Sequence, residues 1–300
     1  MKKEISVLVP VYNKSCTKLI KSLSEQLRKI KNIEYEILIA DDGSTNSSIT
    51  NNNKLKINGI EHCKYIIRKE NVGRAAIRNF LGQTAKYRWL LFLDCDVDID
   101  EPHFIETYLK TSSEFKVVYG GVKICIGKQD ITGNLRYSYE KRYELKHTAT
   151  KRSKKPYQAF RTTNFLIEKN IFNKILFDSK ITTYGYEDVM FGKELYNHKI
   201  KILHIDNGVK YIEYDDNLTF IRKIEESLYT LDTMKETLRN YSGILHIYNI
   251  LTILHLRKIC QTIFKINKNK WRNNLLSANP SLFIFNLYRI GYFISIHKHP

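Results

Sequence analysis

Residues 89–100, W-L-L-F-L-D-C-D-V-D-I-D, run without a turn residue from apolar side chains into carboxylates at every second position. The apolar half reads as a strand buried on both faces. If the chain stays extended past Leu93, its period of two puts Asp94, Asp96, Asp98 and Asp100 on one side, at the carboxyl end of that strand. Open α/β sheets place their ligands at that end. Carboxylates so close repel and raise one another's pKa, and a divalent cation relieves the repulsion. Asp94-Cys95-Asp96 is therefore a candidate site for Mg2+ or Mn2+, with a polar strand end turning into a loop as the plain alternative. A second acidic pair, in Asp41-Asp42-Gly43-Ser44, closes the apolar segment 34–40.

Three further groups could do chemistry. In Asn71-Val-Gly-Arg-Ala-Ala-Ile-Arg-Asn79, Asn71 can cap a helix on which Arg74 and Arg78 stand four apart, placed to meet phosphates near its N-terminus or to line a solvated face. Glu187-Asp188 follows Gly185 and opens an amphipathic helix carrying Val189, Phe191 and Leu195, where acids in the first turn also suit the helix dipole. His204 sits on an apolar strand, as a metal ligand or as a satisfied core histidine.

The elements that must hold these residues alternate. Residues 5–13 form a β-rich run ending in Pro10 and a Tyr12-Asn13 turn, and Leu19, Ile20, Leu23, Leu27 and Ile30 recur at helical spacing. Strands follow at 34–40, at 63–68 and in the opening stretch, with a helix whose apolar face is Val72, Ala76, Ile77, Phe80 and Leu81 before the last of them. Strands alternating with helices predict an α/β protein: a mostly parallel, nucleotide-binding type of sheet flanked by helices and joined by right-handed crossovers. Beyond Asn217 the pattern is helical, with Phe220, Ile224, Leu228 and Leu231 on one face. The expected division is an α/β domain over 1–215 and a helical C-terminal extension over 216–300, serving as a cap, a membrane-surface element or a subunit contact.

The chain resembles the family 2 glycosyltransferases, which have the GT-A fold. Carrying the resemblance are Pro10-Val-Tyr-Asn13, Asp41-Asp42-Gly43-Ser44, Asn71-x-Gly73 with Arg78-Asn79, Asp94-x-Asp96 and Tyr184-Gly-Tyr-Glu-Asp188, in the expected order over roughly the first two hundred residues. It implies inverting transfer of a hexose or N-acetylhexosamine from a nucleotide-sugar, a UDP-sugar by family preference, to a hydroxyl of a saccharide or lipid-linked acceptor in surface polysaccharide or glycan synthesis. By position, Asp42 with Asp41 would hold the uracil or ribose, and Asp94 and Asp96 a divalent metal on the diphosphate. Pro10, Tyr12, Asn71, Gly73, Arg78 and Asn164 would complete the donor site, and Asp188, with Glu187 beside it, would be the base. Residues 201–211 depart from the pattern: relatives often carry Asn-Pro-Val-x-His there, and this chain has Gly208 and Tyr211, which leaves His204 as the remaining histidine for a third ligand.

Composition bounds the partners. A formal charge of +18 calls for a polyanion such as nucleic acid, an anionic membrane face or nucleotide and lipid phosphates, or else reflects drift toward Lys, Ile and Asn. The basic, aromatic segment 120–157 could bind single strands by stacking, but the family resemblance lays it over the catalytic face beside the acceptor; acceptor contact or a plain solvated helix is expected there, and not nucleic acid. Five scattered cysteines without metal spacing favour a reduced, cytoplasmic setting. The N-terminus shows no signal-peptide pattern, and the longest uncharged apolar stretch, 241–256, is short of the roughly 20 residues a span needs. The expected location is cytoplasmic, peripheral on the inner face of a membrane through the basic and apolar tail. The rival readings are a nucleotidyltransferase, which would show a glycine-rich loop after the first strand where Pro10-Val-Tyr-Asn13 has none, and a basic nucleic-acid- or membrane-binding protein without catalysis.

Overall fold

The computed structural model describes residues 1–124, 130–144, 147–239 and 241–296; Cys125 lies outside the described residues. Ten strands occur among them: β1 (Glu4–Val11), β2 (Glu34–Asp41), β3 (Cys63–Ile67), β4 (Trp89–Leu93), β5 (Val97–Asp98), β6 (Val117–Tyr119), β7 (Val122–Lys123), β8 (Asn164–Glu168), β9 (Ile202–His204) and β10 (Val209–Tyr211). The first helices are α1 (Thr17–Lys29), α2 (Ser47–Ile57), α3 (Gly73–Thr84), α4 (Phe104–Lys110), α5 (Leu135–Tyr143) and α6 (Ala149–Arg152). The rest are α7 (Lys169–Lys174), α8 (Glu187–Asn197), α9 (Asn217–Thr233), α10 (Gly243–Ile253), α11 (Arg257–Leu276) and α12 (Leu282–Ile296).

These elements divide into two compact units, one of Met1–Cys125, Glu144–Thr182 and Glu187–Ile212, the other of Ile126–Tyr143, Thr183–Tyr186 and Glu213–Pro300. The division differs from a single cut after 215, because α5 and residues 183–186 fall with the C-terminal helices. In the first unit a seven-stranded sheet runs β3-β2-β1-β4-β8-β6-β9. β1, β2, β3 and β4 are mutually parallel, β8 is antiparallel to both its neighbours, and β9 is parallel to β6. This is the mostly parallel α/β sheet expected. Since β2 and β4 flank β1 in the same direction, their carboxyl ends lie on one edge of the sheet.

Local sequence explains the layers. β4 is buried along its whole length, as an unbroken Trp-Leu-Leu-Phe-Leu run requires in a central strand. Leu19, Ile20, Leu23 and Leu27 bury the predicted face of α1. On α3 the buried face is Ala75, Ile77, Arg78 and Leu81, rotated from the apolar face expected, because Arg78 turns inward to a carboxylate. Aromatic rings fill the space between sheet and helices: Phe92 stacks on Phe165 at 4.9 Å and Phe177 on Phe191 at 4.2 Å.

The line of four carboxylates expected after Leu93 does not form. The strand ends at Leu93, the chain turns through Cys95 and Asp96, and it resumes as β5 in a separate three-stranded sheet, β5-β10-β7. Asp98 then meets Lys18 at 2.5 Å, and Asp100 pairs with Lys210 and, at 3.7 Å, Lys123. Only Asp94 and Asp96 stay at the strand end.

The second unit has its own core of Leu135, Phe220, Ile221, Phe264, Leu275, Phe285 and Tyr288. Asp216 caps α9 through the Thr219 N–H at 2.9 Å. The aromatic residues of α5 serve packing: Tyr137 meets Tyr214, Tyr139 meets Phe285 and Tyr143, and Arg136 pairs with Asp215 at 2.6 Å. Among the described residues no helix is long and apolar enough to cross a membrane.

Candidate active site

Asp94 continues the main chain beyond β4, where its N–H donates to the Thr163 carbonyl at 3.0 Å. Its side chain receives two guanidiniums from successive turns of α3: Arg78 Nη2 at 2.5 Å and Arg74 Nη2 at 3.5 Å. Burial alone would raise the Asp94 pKa, but the two arginine charges and hydrogen bonds from Arg78 and Thr163 outweigh it and hold the carboxyl below its usual range. Arg78 is 1% exposed, donates Nη1 to the Arg74 carbonyl at 3.1 Å, and keeps a buried Nε without a partner among the described residues. Such an orphan donor is rare in a folded interior.

Arg74 extends this ionic chain, its Nε lying 2.8 Å from Glu187 at the start of α8. Glu187 is buried, and Asp188 beside it is partly buried. Burial first and the Glu187 charge second push the Asp188 pKa up to about 6, while Arg161, the Val189 N–H and Arg74 pull it down. A carboxyl with that affinity for protons is suited to take one near neutral pH. Glu187, Arg74, Asp94 and Arg78 thus make one run of alternating charge, with Asp188 adjoining it as a second carboxylate beside Glu187.

The end of β2 is built differently. Asp41 is fully buried, accepting from the Ser44 N–H at 2.7 Å, the Tyr65 hydroxyl at 2.6 Å and the Thr50 hydroxyl at 3.1 Å. Those three donors make it an anchor of the loop, not an open donor ligand. Asp42 accepts from the N–H groups of Val72 and Gly73, both at 3.0 Å, and so caps α3 from a neighbouring strand. Burial raises the Asp42 pKa against those hydrogen bonds and the Arg68 charge. Asn71 adds its own contact to the Gly73 N–H at 3.1 Å. Gly43 has φ +69°, and a Cβ there would come within 2.6 Å of the Glu70 carbonyl carbon, so only glycine permits this approach.

The remaining predicted residues separate into two groups. Pro10 and Tyr12 lie at the end of β1 on the same edge; Tyr12 is 44% exposed, and Asn13, at φ +51°, ties this turn to the β2 loop through its N–H to Ser44 Oγ at 2.7 Å. Asn164 and His204 are consumed by the interior. Asn164 donates to the carbonyls of Gly121 and Asn207 and accepts from the Tyr108 hydroxyl at 2.7 Å. His204 has one ring nitrogen 3.3 Å from Arg152 Nε and the other 3.0 Å from the Pro156 carbonyl. Burial and the Arg152 charge lower its pKa to about 4. It is a satisfied core histidine with no nitrogen left for a metal, which corrects its assignment as a ligand.

Among the described residues no group of three His, Cys, Asp or Glu side chains could hold a metal ion. What the strand end offers is a pair of hard oxygen donors, Asp94 and Asp96, whose chemistry fits Mg2+ or Mn2+ with the other positions filled by water and ligand oxygens. Any cation there competes with Arg74 and Arg78 for Asp94. Two residues of the Asn71–Asn79 motif make contacts that the local sequence does not specify. Arg74 links Glu187 to Asp94, and Asn79 fixes the Phe177 main chain by a reciprocal pair of hydrogen bonds, each 2.9 Å. The i, i+4 spacing marked the arginines as a pair, but their carboxylate partners and the main-chain partner of Asn79 lie far along the chain or on another element.

A mostly parallel sheet whose β2 and β4, on either side of β1, both end in acidic pairs, with a further acidic pair at the head of a later helix, has the architecture of a GT-A glycosyltransferase. The chain belongs to glycosyl transferase family 2, whose sequence model matches residues 6–176. It is 25% identical over 242 residues to a chondroitin synthase of Pasteurella multocida (strain Pm70), covering 69% of this chain and 24% of that protein. Against poly(ribitol-phosphate) beta-N-acetylglucosaminyltransferase TarP of Staphylococcus aureus (strain N315) it is 33% identical over 96 residues, 31% of this chain and 28% of the relative. The chain therefore spans only about a quarter of the length of these relatives. Its fold is similar to that of a mannosyltransferase from Pyrobaculum calidifontis solved with GDP-Man and Mn2+, with a TM-score of 0.57, 10% identity, and 98% of this chain and 85% of that one covered.

Proposed function

We propose that this glycosyltransferase moves a hexose or N-acetylhexosamine from a UDP-sugar to a hydroxyl of a saccharide or lipid-linked acceptor, with inversion, in the synthesis of a surface polysaccharide or related glycan. The names of the two relatives, one a chondroitin synthase and one an N-acetylglucosaminyltransferase acting on poly(ribitol-phosphate), support a sugar polymer as the product. The observation that carries the mechanism is Asp188, a carboxyl with its pKa pushed up to about 6, adjoining the run of charge that includes Asp94. Asp188 takes the acceptor hydroxyl proton as the oxygen bonds to the anomeric carbon, and the bond from that carbon to the diphosphate breaks on the opposite face. The electron pair leaves with the nucleoside diphosphate. A single displacement inverts the anomeric centre.

Asp94 and Asp96 are the residues that would hold a divalent cation, whose contribution is to neutralise charge on the departing diphosphate. Tyr12, exposed just past the end of β1, would offer its ring to the base, while Asp42 and Asn71 frame the start of α3. In this reading the enzyme works on the cytoplasmic side, peripheral to a membrane. The test is mass spectrometry of products after incubation with a panel of nucleotide-sugars, with and without Mn2+, together with calorimetry of UDP binding. UDP bound with Mn2+ equally well by Asp96→Ala would remove the metal assignment.

A further inference from the structure

The second unit carries an exposed apolar surface made of residues outside the candidate site. α12 covers the inner sides of α10 and α11, where Tyr248 meets Phe293 at 5.3 Å and Phe264 meets Tyr288 at 5.5 Å. The outer sides are isoleucine. Ile247, Ile250 and Leu254 are exposed at i, i+3 and i+7 along α10 and its C-terminus, and Ile259, Ile263 and Ile266 at i, i+4 and i+7 on α11. Each set is a single stripe on its helix. Ile253 and Ile266 are each 75% exposed, and the exposed Leu254 and Leu256 link the two stripes through the connection. Scattered exposed apolar residues need no explanation, but a contiguous run of this extent marks an interaction surface.

Charge identifies what covers it. From Tyr241 to the last residue the sequence has no Asp or Glu and eight Lys or Arg. At about 100° per residue, Lys258 and Lys265 border the α11 stripe on one side and Lys270 continues it. An apolar stripe bordered by lysines on α11, with Lys235 and Arg239 beside Glu236 next to α10, suits a bilayer with anionic headgroups, where isoleucines enter the acyl boundary and lysines meet phosphates. The same rim opposes a two-fold contact with a second copy, which would set lysine against lysine. Among the described residues no helix is long and apolar enough to span, so a bilayer meeting this face would have α10 and α11 lying in its interface plane.

We propose that the outer face of α10 and α11 is a docking surface for an anionic lipid bilayer. The inference rests on the peripheral placement proposed above and names the surface responsible; it does not depend on donor or acceptor identity, and its test needs no catalysis. The full chain is floated with vesicles of phosphatidylcholine alone or mixed with phosphatidylglycerol, beside the variant I250S/I259S/I263S/I266S, whose four exposed positions leave the core intact as checked by circular dichroism. The parent should float with the mixed vesicles and not with the neutral ones, release as salt rises, and exceed the variant at least about tenfold in partition coefficient. Failure of the parent to float with mixed vesicles, or flotation of the variant as strong as the parent's, overturns the proposal. So does a dimer in light scattering that the variant dissociates while vesicles bind neither protein, which would make the face a contact between copies.

Discussion

Two acidic strand ends lie on the same edge of one sheet, yet they hold their charge by different means. At the end of β2, Asp41 and Asp42 are met by neutral donors, hydroxyls and main-chain N–H groups. At the end of β4, Asp94 is met by two guanidiniums. The first arrangement fixes the conformation of a loop and the start of a helix. The second holds full charges in partial burial, where adding or removing one charge shifts its neighbours, so it can respond to a charged ligand and to pH.

The largest contrast should come from removing the anion at each end. Asp94→Ala leaves the Arg78 guanidinium buried without its counter-charge and should cost about 3–5 kcal/mol in urea unfolding. A loss below about 1 kcal/mol would mean that the pair is not the structural element its geometry suggests. Protonation acts in the same direction: the lowered Asp94 pKa gives stability that is present above the unfolded-state value and lost as pH falls through the folded one.

Asp188 should separate chemistry from stability. Asp188→Asn keeps the shape and removes the basicity, so kcat should fall by about 10²-fold or more while the UDP dissociation constant holds. In the parent, kcat/KM should drop as pH falls below about 6, where the base becomes protonated. The sign for stability is opposite to that of Asp94. A carboxyl whose folded pKa is raised costs stability once it ionises, so Asp188→Asn should be no less stable than the parent above pH 6. A near-normal kcat would take Asp188 out of the mechanism and bring Glu187 forward.

The end of β2 should answer more quietly. Asp41→Asn keeps an acceptor but turns an amide toward hydroxyl donors, for an expected loss of about 1–3 kcal/mol with nucleotide affinity unchanged. Asp42→Asn should weaken UDP binding measured by calorimetry, and equal effects of the two substitutions on affinity would erase the distinction drawn between them.

The sequence alone could not make that distinction. Alternating strands and helices, the buried run of β4 and the acidic ends of β2 and β4 were legible because each is a local pattern. What each carboxylate touches depends on residues far along the chain: Asp41 on Tyr65, Asp94 on Arg78, His204 on Arg152. The expectation of four aligned carboxylates failed for a local reason, since nothing in Asp94-Cys95-Asp96 announced a turn, and Asp98 and Asp100 then found lysines. Asn164 was read as facing the donor because of its motif, but strand β8 turns it to the Gly121 and Asn207 carbonyls.

The smallest expected effect probes the junction of the ionic chain. The Arg74 side chain is 45% exposed, so its ion pairs with Asp94 at 3.5 Å and Glu187 at 2.8 Å are screened by solvent. Arg74→Gln should therefore change stability by no more than about 1 kcal/mol. Its effect should appear in the pH profile instead. Arg74 is one of the charges that lower the Asp188 pKa, and it also neutralises Glu187, the carboxylate that raises it. Taking the guanidinium away removes a stabilising cation and strengthens a repelling anion, and both changes push the Asp188 pKa upward. The acid limb of kcat/KM should move to higher pH than in the parent, with the plateau rate at high pH retained if Arg74 acts only through charge. Rate profiles of parent and Arg74→Gln measured under matched salt decide it: an unmoved limb would show that the run of charge from Asp94 to Asp188 is an arrangement in space and not an electrostatic coupling.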